Sequence, residues 1–298
     1  MKNCYKFRTL IHAQHFNSAV LVWPICLSAI ALIALLIIYN IWGSLNFWAA
    51  MAQAGGNALH FCELNRINEL IRQPSNTWSN IPFITVGLFV IFASVKDWQY
   101  KDRKQSPNFM VRHPIFSFFL GLSTLYTGLG SLFYHASLTS FFQKHDQMGM
   151  YALIFSITAI CAYRLLPEFK SIHLKSIYLT GALALLILIY IKWNNININL
   201  MFPLCVGMVV ILHLIYEFKR KKMFCEKTWI YGAFAALVIG FIIWMLDRSH
   251  VICKPDSWLQ GHAVWHILTA FSTLLTYLYF RTVSPAQHLH DTYQFRTA

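Results

Sequence analysis

Charge is scarce in this sequence, and acidic charge is the scarcest. Only 12% of the 298 residues are charged, with 11 Asp and Glu against 24 Lys and Arg, whereas 57% are hydrophobic. Such a composition excludes a soluble globular protein. The sequence also lacks a Ser/Gly-rich linker, a low-complexity tract and a clear internal repeat. The sequence therefore gives no support for a separate second domain or for the inverted repeats found in many transporters.

Long apolar runs are abundant instead, and each is long enough to cross a hydrocarbon core about 30 Å thick. We predict eight membrane-spanning helices, near residues 20–42, 78–95, 113–135, 146–166, 176–192, 199–216, 229–246 and 260–280. The first run follows a basic segment, so a cleavable secretory signal is the alternative to a retained helix. Its apolar core is longer than that of a usual signal, which favours the helix.

Basic residues are distributed unequally between the two sides of this predicted topology. With the N-terminus in the cytoplasm, inner segments hold eighteen of the Lys and Arg residues and outer segments hold six. This asymmetry places both termini inside by the positive-inside rule. The net charge of +13 thus follows from topology and from attraction to anionic lipid, and it does not indicate a nucleic-acid partner.

Three histidines and one carboxylate lie at the ends of predicted spans. The last span opens with Gly261-His262-Ala263-Val264-Trp265-His266, and residues four apart share one helical face. His135 ends the third predicted span, and Asp146 begins the fourth. The topology puts all four residues at one depth near the outer face, which predicts a buried zinc site. Taken alone, Asp146 is also compatible with an N-cap of its helix.

Four motifs follow one another along the chain: Phe61-Cys62-Glu63-Leu64-Asn65, Gln73-Pro74-Ser75-Asn76-Thr77-Trp78-Ser79-Asn80, Gly128-Leu129-Gly130-Ser131 with His135 and Asp146, and His262-Ala263-Val264-Trp265-His266. This ordered series resembles the alkaline ceramidase family of the CREST superfamily of membrane hydrolases. The resemblance implies an all-α integral membrane fold with seven helices over residues 58–282. Residues 1–57 would add an extra N-terminal helix and an interfacial segment, and residues 283–298 a cytoplasmic tail.

The same resemblance implies a catalytic zinc held by His135, His262 and His266, with Ser131 and Asp146 assisting. The chemistry agrees, since three neutral imidazoles and an open fourth position are typical of catalytic zinc. Asp146 would manage the proton of the attacking water. Ser131 lies one turn before His135, so its hydroxyl can reach the substrate carbonyl or the oxyanion formed from it.

Calcium is not expected near Glu63 and Asn65, although eukaryotic members of the family bind it in that region. His60 and Gln73 stand where the family pattern has carboxylates, and calcium requires six to eight oxygens, several of them charged. Glu63 is expected to pair with Arg66 or Arg72 instead.

The seven cysteines do not form a disulfide scaffold. Only Cys62 and Cys253 are assigned to outer loops, so these two can form a disulfide if the outer compartment is oxidising.

The leading functional hypothesis is zinc-dependent hydrolysis of the amide bond of a ceramide-like N-acyl lipid. The alternatives are an ester-cleaving lipid hydrolase of the same superfamily and a non-catalytic seven-helix lipid receptor. The expected location is the bacterial inner membrane, or the ER and Golgi in a eukaryote. The sequence leaves the acyl chain and the oligomeric state open.

Overall fold

The computed structural model describes residues 18–55, 61–165, 181, 204–211, 214–215, 223–224, 227–282 and 284–285. Within them, the helices are α1 Ser18–Trp42, α2 Pro74–Trp78, α3 Ile81–Gln99, α4 Phe109–Arg112, α5 Pro114–Ser137, α6 Ser140–Leu165, α7 Lys227–Arg248 and α8 Gly261–Thr282. A short 3-10 turn covers Arg103–Gln105, and two-residue strands at Met223–Phe224 and Ser284–Pro285 pair antiparallel.

Five helical segments of the described chain are long and apolar enough to cross a membrane. They are Ser18–Trp42, Pro74–Gln99, Pro114–Ser137, Lys227–Arg248 and Gly261–Thr282. The prediction of an all-α integral membrane protein is therefore confirmed. The predicted span 176–192 lies outside the described residues except for residue 181; of the span 199–216, residues 204–211 and 214–215 are described and helical.

The fourth predicted span begins earlier than expected. Helix α6 starts at Ser140 instead of residue 146, because Leu138 ends α5 in the left-handed conformation, with φ 47°. The first two turns of α6 contain Gln143, Lys144 and His145, so hydropathy does not mark them as part of a helix. Asp146 consequently lies in the second turn, and its interpretation as an N-cap is wrong.

Helix α5 is central because glycines let its backbone approach two neighbours. A Cβ atom at Gly87 of α3 would lie 2.6 Å from the backbone nitrogen of Leu125, and one at Gly128 would lie 2.8 Å from the Cβ of Phe83. On the other side, a Cβ at Gly130 would lie 2.8 Å from the carbonyl oxygen of His145. Small residues at such crossings are the usual means of close packing between membrane helices. This packing sets the C-terminal end of α5 against the start of α6.

A buried ion pair joins α3 and α8 at the end of the bundle where both helices finish. Arg281 donates from Nη1 to Oδ2 of Asp97 and from Nη2 to Oδ1 at 3.2 Å, and Nη1 also donates to the Tyr277 hydroxyl at 3.2 Å. Asn108, the N-cap of α4, donates to the carbonyl of Arg281 at 2.6 Å. These bonds fix the end of α8 that lies far from His262.

Candidate metal centre

The three predicted histidine ligands meet at one end of the helical bundle. His135 lies in the last turn of α5, and His262 and His266 lie in the first two turns of α8. Each offers a ring nitrogen, and these atoms lie within 4.8 Å of one another; all three residues are buried. The Nε2 atoms of His135 and His262 are 3.2 Å apart. Ring nitrogens that converge in this way can hold a metal ion.

Two of the three imidazoles are held from behind by acceptors that fix their tautomer. Nδ1 of His135 lies 2.8 Å from Oε1 of Gln73, and the amide nitrogen of Gln73 donates to the Glu63 carbonyl at 3.1 Å. Nδ1 of His266 lies 2.8 Å from Oγ of Ser79, whose hydroxyl donates to the Asn76 carbonyl at 2.9 Å. Both Nδ1 atoms are therefore donors, which leaves Nε2 with a free lone pair. Such outer partners are typical of metal-binding histidines, so the residues fit a metal ion.

The segment that carries these acceptors is fixed to the end of α5. The amides of Arg72 and Gln73 donate to the carbonyls of Ala136 and His135, at 3.0 and 3.1 Å. These bonds satisfy carbonyls that a helix end would otherwise leave without partners. The segment thus brings Gln73 and Ser79 to the back of the histidine rings. Sequence reasoning missed both roles, because neither residue carries a spacing that marks a ligand partner.

Glu63 caps helix α2. Its two carboxylate oxygens accept hydrogen bonds from the backbone amides of Ser75 and Asn76, at 2.7 and 2.9 Å. Nη1 of Arg66 lies 3.7 Å from Oε1 of the same carboxylate, so one of the two predicted pairings, Glu63 with Arg66, is present. Burial raises the pKa of Glu63, while these bonds and Arg66 oppose that shift. The carboxylate of Glu63 therefore acts in the structure as a capping group beside the site. Asn65 is the other residue considered for calcium, and its carbonyl accepts a hydrogen bond from the amide of Ile67.

The disulfide allowed by the sequence is present between Cys62 and Cys253. A backbone bond from the amide of Leu64 to the carbonyl of Pro255, at 3.0 Å, lies next to it. Together they join the segment that precedes α2 to the loop that precedes α8. Phe61, adjacent to this bridge, packs on the rings of His135 and His262 with centroid distances of 5.0 and 4.6 Å.

The two predicted helper residues lie on either side of the close contact between α5 and α6. Ser131 is buried, and its Oγ is 3.4 Å from Nε2 of His266. Asp146 has its backbone beside Gly130, the residue before Ser131: a Cβ at Gly130 would lie 3.1 Å from the Asp146 nitrogen. His145 lies outside the three-histidine group, and its Nδ1 is 2.8 Å from the Tyr126 hydroxyl.

Comparison with known proteins places this chain in a family. A family model described as Ceramidase matches residues 56–297. An alkaline ceramidase of Arabidopsis thaliana is 24% identical over 244 residues, which cover 78% of this chain and 84% of that protein. The protein dcd3B of Dictyostelium discoideum, whose name assigns it provisionally to the alkaline ceramidases, is 25% identical over 275 residues, covering 83% and 92%. The match to the family model extends over most of the sequence, and the chain belongs to the ceramidase family.

Proposed function

We propose that this protein is a zinc-dependent intramembrane hydrolase that cleaves the amide bond of a ceramide-like N-acyl lipid to a free fatty acid and an amine. The observation that carries the proposal is the convergence of three buried histidines, two of which have their outer ring nitrogens held by Gln73 and Ser79. Membership of the ceramidase family and the relatives at about one quarter identity support the substrate class.

His135, His262 and His266 would hold the zinc ion through three neutral nitrogens. When bound, zinc supplies a Lewis acid that polarises a carbonyl and makes water nucleophilic near neutral pH. An open coordination position suits catalysis, whereas a structural zinc has four protein ligands. Among the described residues, no other histidine, cysteine or carboxylate joins this group of three.

Asp146 would act as the general base and then as the general acid. Its carboxylate accepts a proton from the water that adds to the amide carbon. It then delivers that proton to the departing nitrogen as the carbon–nitrogen bond breaks, so the amine leaves neutral. The close approach of α5 and α6 at Gly130 supports this role, because it sets Asp146 next to the turn that carries Ser131.

Ser131 would stabilise the negative charge that develops on the carbonyl oxygen. Its hydroxyl faces the same space as Nε2 of His266. A preorganised donor in a buried site is worth far more than one in water, because the surroundings do not have to reorganise during the reaction.

A substrate panel tests the function directly. The full chain, purified and loaded with zinc, is incubated with N-acyl sphingoid bases and with acyl esters of matched chain length, and fatty acid release is measured. We expect faster release from the amides. Preferential release from esters would instead identify an ester hydrolase. Binding of sphingoid base or fatty acid without any cleavage would identify a receptor.

We further propose that both termini are cytoplasmic and that the histidine site lies near the outer face, within a seven-helix unit spanning residues 58–282. The distribution of Lys and Arg supports this orientation. Reporter fusions should place the loop around Arg220 and the C-terminus inside, and the loop around Cys253 outside. A C-terminus outside would contradict the proposed topology.

A further inference from the structure

A buried carboxylate lies behind the one histidine of the site that has no outer partner. His135 and His266 each have an acceptor at Nδ1, but Nδ1 of His262 is buried without a hydrogen-bond partner among the described residues. Asp247, near the end of α7, is 1% exposed. Its Oδ2 accepts a hydrogen bond from the backbone amide of His262 at 3.2 Å. Its other oxygen, Oδ1, is likewise buried and without a partner in the described chain.

The contact between Asp247 and the start of α8 is close. A Cβ atom at Gly261 would lie 2.6 Å from the Cβ of Asp247 and 3.0 Å from its Oδ2. Only glycine therefore allows the carboxylate to approach the first turn of α8 at this distance. The approach puts a carboxylate against the residue that carries the unpaired Nδ1.

Burial makes an unpaired arrangement costly for both groups. A buried polar atom without a partner destabilises the fold, and a charged one does so more strongly. One oxygen of Asp247 already bonds to the backbone amide of His262, so the second oxygen and the unpaired Nδ1 belong to two residues that are in direct contact. Trp244 lies three residues before Asp247 on α7, and its Nε1 is also buried without a partner in the described chain. A carboxylate oxygen can accept from both donors, since it has two lone pairs.

We propose that Asp247 is a positioning residue of the metal site, whose carboxylate accepts the Nδ1 proton of His262. This bond holds the tautomer in which Nε2 is free to bind a metal, as Gln73 does for His135 and Ser79 for His266. The inference rests on the proposed metal site, and it adds the third outer partner. Carboxylate, histidine and metal in series form a recurrent arrangement in zinc proteins.

Asp247→Asn separates this role from simple capping of α8. Asn and Asp cap helices about equally well, so a purely capping residue would tolerate the change. The amide, however, has one acceptor oxygen for the two donors of His262, and its NH₂ group disfavours a proton on Nδ1. The proton would then move to Nε2 and compete with the metal.

The experiment measures zinc affinity of the full chain by competition with a chromophoric chelator, and the visible spectrum after cobalt substitution. We expect Asp247→Asn to weaken zinc binding about 10–100-fold and to alter the cobalt spectrum. The matched control is Asp256→Asn, which removes an exposed carboxylate from the loop between α7 and α8 and should leave both measurements unchanged. Wild-type affinity and spectrum in Asp247→Asn would overturn the inference while leaving the metal site intact.

Two further outcomes are decisive. If Asp247→Asn does not fold, Asp247→Ser is used, since serine also caps helices well but cannot accept both His262 donors as a carboxylate does; normal zinc affinity in that variant overturns the inference. If the wild-type chain binds no zinc, the proposed function fails first and the inference fails with it.

Discussion

At one end of the bundle, Arg281 bonds to Asp97 and to Tyr277; at the other end, three histidines bring ring nitrogens close together. Both groups are buried in an apolar helical protein, where polar side chains are costly and tend to have a function. In the first group each charge has an opposite charge beside it. In the second, Nε2 of His262 and Nε2 of His135 lie 3.2 Å apart, so one proton can join this pair, but among the described residues no carboxylate joins the three ring nitrogens.

The difference separates a structural polar cluster from a candidate functional one. The ion pair of Arg281 and Asp97 brings opposite charges together within the chain, so no bound ion is needed to neutralise either of them. The histidine cluster instead presents three buried ring nitrogens that a single cation can join. Outer partners such as Gln73 and Ser79 strengthen this contrast, because they hold Nδ1 protonated and so direct the Nε2 lone pairs inward.

The largest expected effect comes from removing two of the three ligands. A protein with His262→Ala and His266→Ala should lose its zinc and all detectable amide cleavage, since one imidazole cannot retain the ion. Zinc per chain is measured by elemental analysis beside the hydrolysis assay. His145→Ala serves as the control for zinc content, because His145 contacts Tyr126 and lies outside the cluster. Full zinc occupancy in the double variant would refute the ligand assignment.

The next effect tests whether the cluster is catalytic. Asp146→Asn keeps the size of the side chain but removes the base, so amide cleavage should fall by about 10²–10⁴ while zinc stays bound. The assay compares kcat and zinc content with those of Asp256→Asn, which changes an exposed carboxylate and should behave as wild type. An Asp146→Asn enzyme of normal kcat would remove Asp146 from the mechanism.

The sequence predicted the parts of the site that depend on local spacing. His262 and His266 share a helical face whatever the rest of the chain does, and the order of the spans brought His135 to the same end. The start of α6 was predicted at Asp146, six residues too late, because the polar first turns of this helix do not resemble a membrane helix by hydropathy. Hydropathy reports contact with lipid, whereas this segment begins beside a buried polar site.

Partners that act across the fold could not be predicted. Gln73 and Ser79 lie 62 and 187 residues from His135 and His266, and Asp247 lies on a different helix from His262, so only packing brings these side chains to the histidines. The same reason applies to the ion pair, because Asp97 precedes Arg281 by 184 residues and no local spacing connects the two. From sequence, an arginine near the end of a span indicates the cytoplasmic side of the membrane. Only the fold shows whether it is a member of a buried ion pair.

The ion pair of Arg281 and Asp97 allows a test of stability that leaves the metal site untouched. Asp97→Ala leaves Arg281 as an uncompensated buried charge, which should lower the free energy of unfolding by about 3–5 kcal/mol. The folded fraction should still bind zinc as wild type does, because the histidines lie at the other end of α8. Denaturation in detergent measures the loss, and Asp102→Ala, an exposed residue nearby, should change stability by no more than about 0.5 kcal/mol. Loss of zinc affinity from the folded Asp97→Ala protein would show that the two ends are not independent.

The smallest expected effect concerns Ser131. Its hydroxyl lies 3.4 Å from Nε2 of His266, close enough to share the space that a substrate carbonyl would occupy, but it is not required to hold the ion. Ser131→Ala should therefore reduce kcat by about 10²-fold, as expected for loss of one oxyanion donor, with zinc content unchanged. Ser123→Ala on the same helix is the matched control, since that hydroxyl pairs with Ser156 at 2.7 Å and away from the histidines. A Ser131→Ala protein that loses zinc instead of rate would place Ser131 with Gln73 and Ser79 among the groups that hold the ligands. Unchanged kcat together with unchanged zinc would leave it a small residue that packs between α5 and its neighbours.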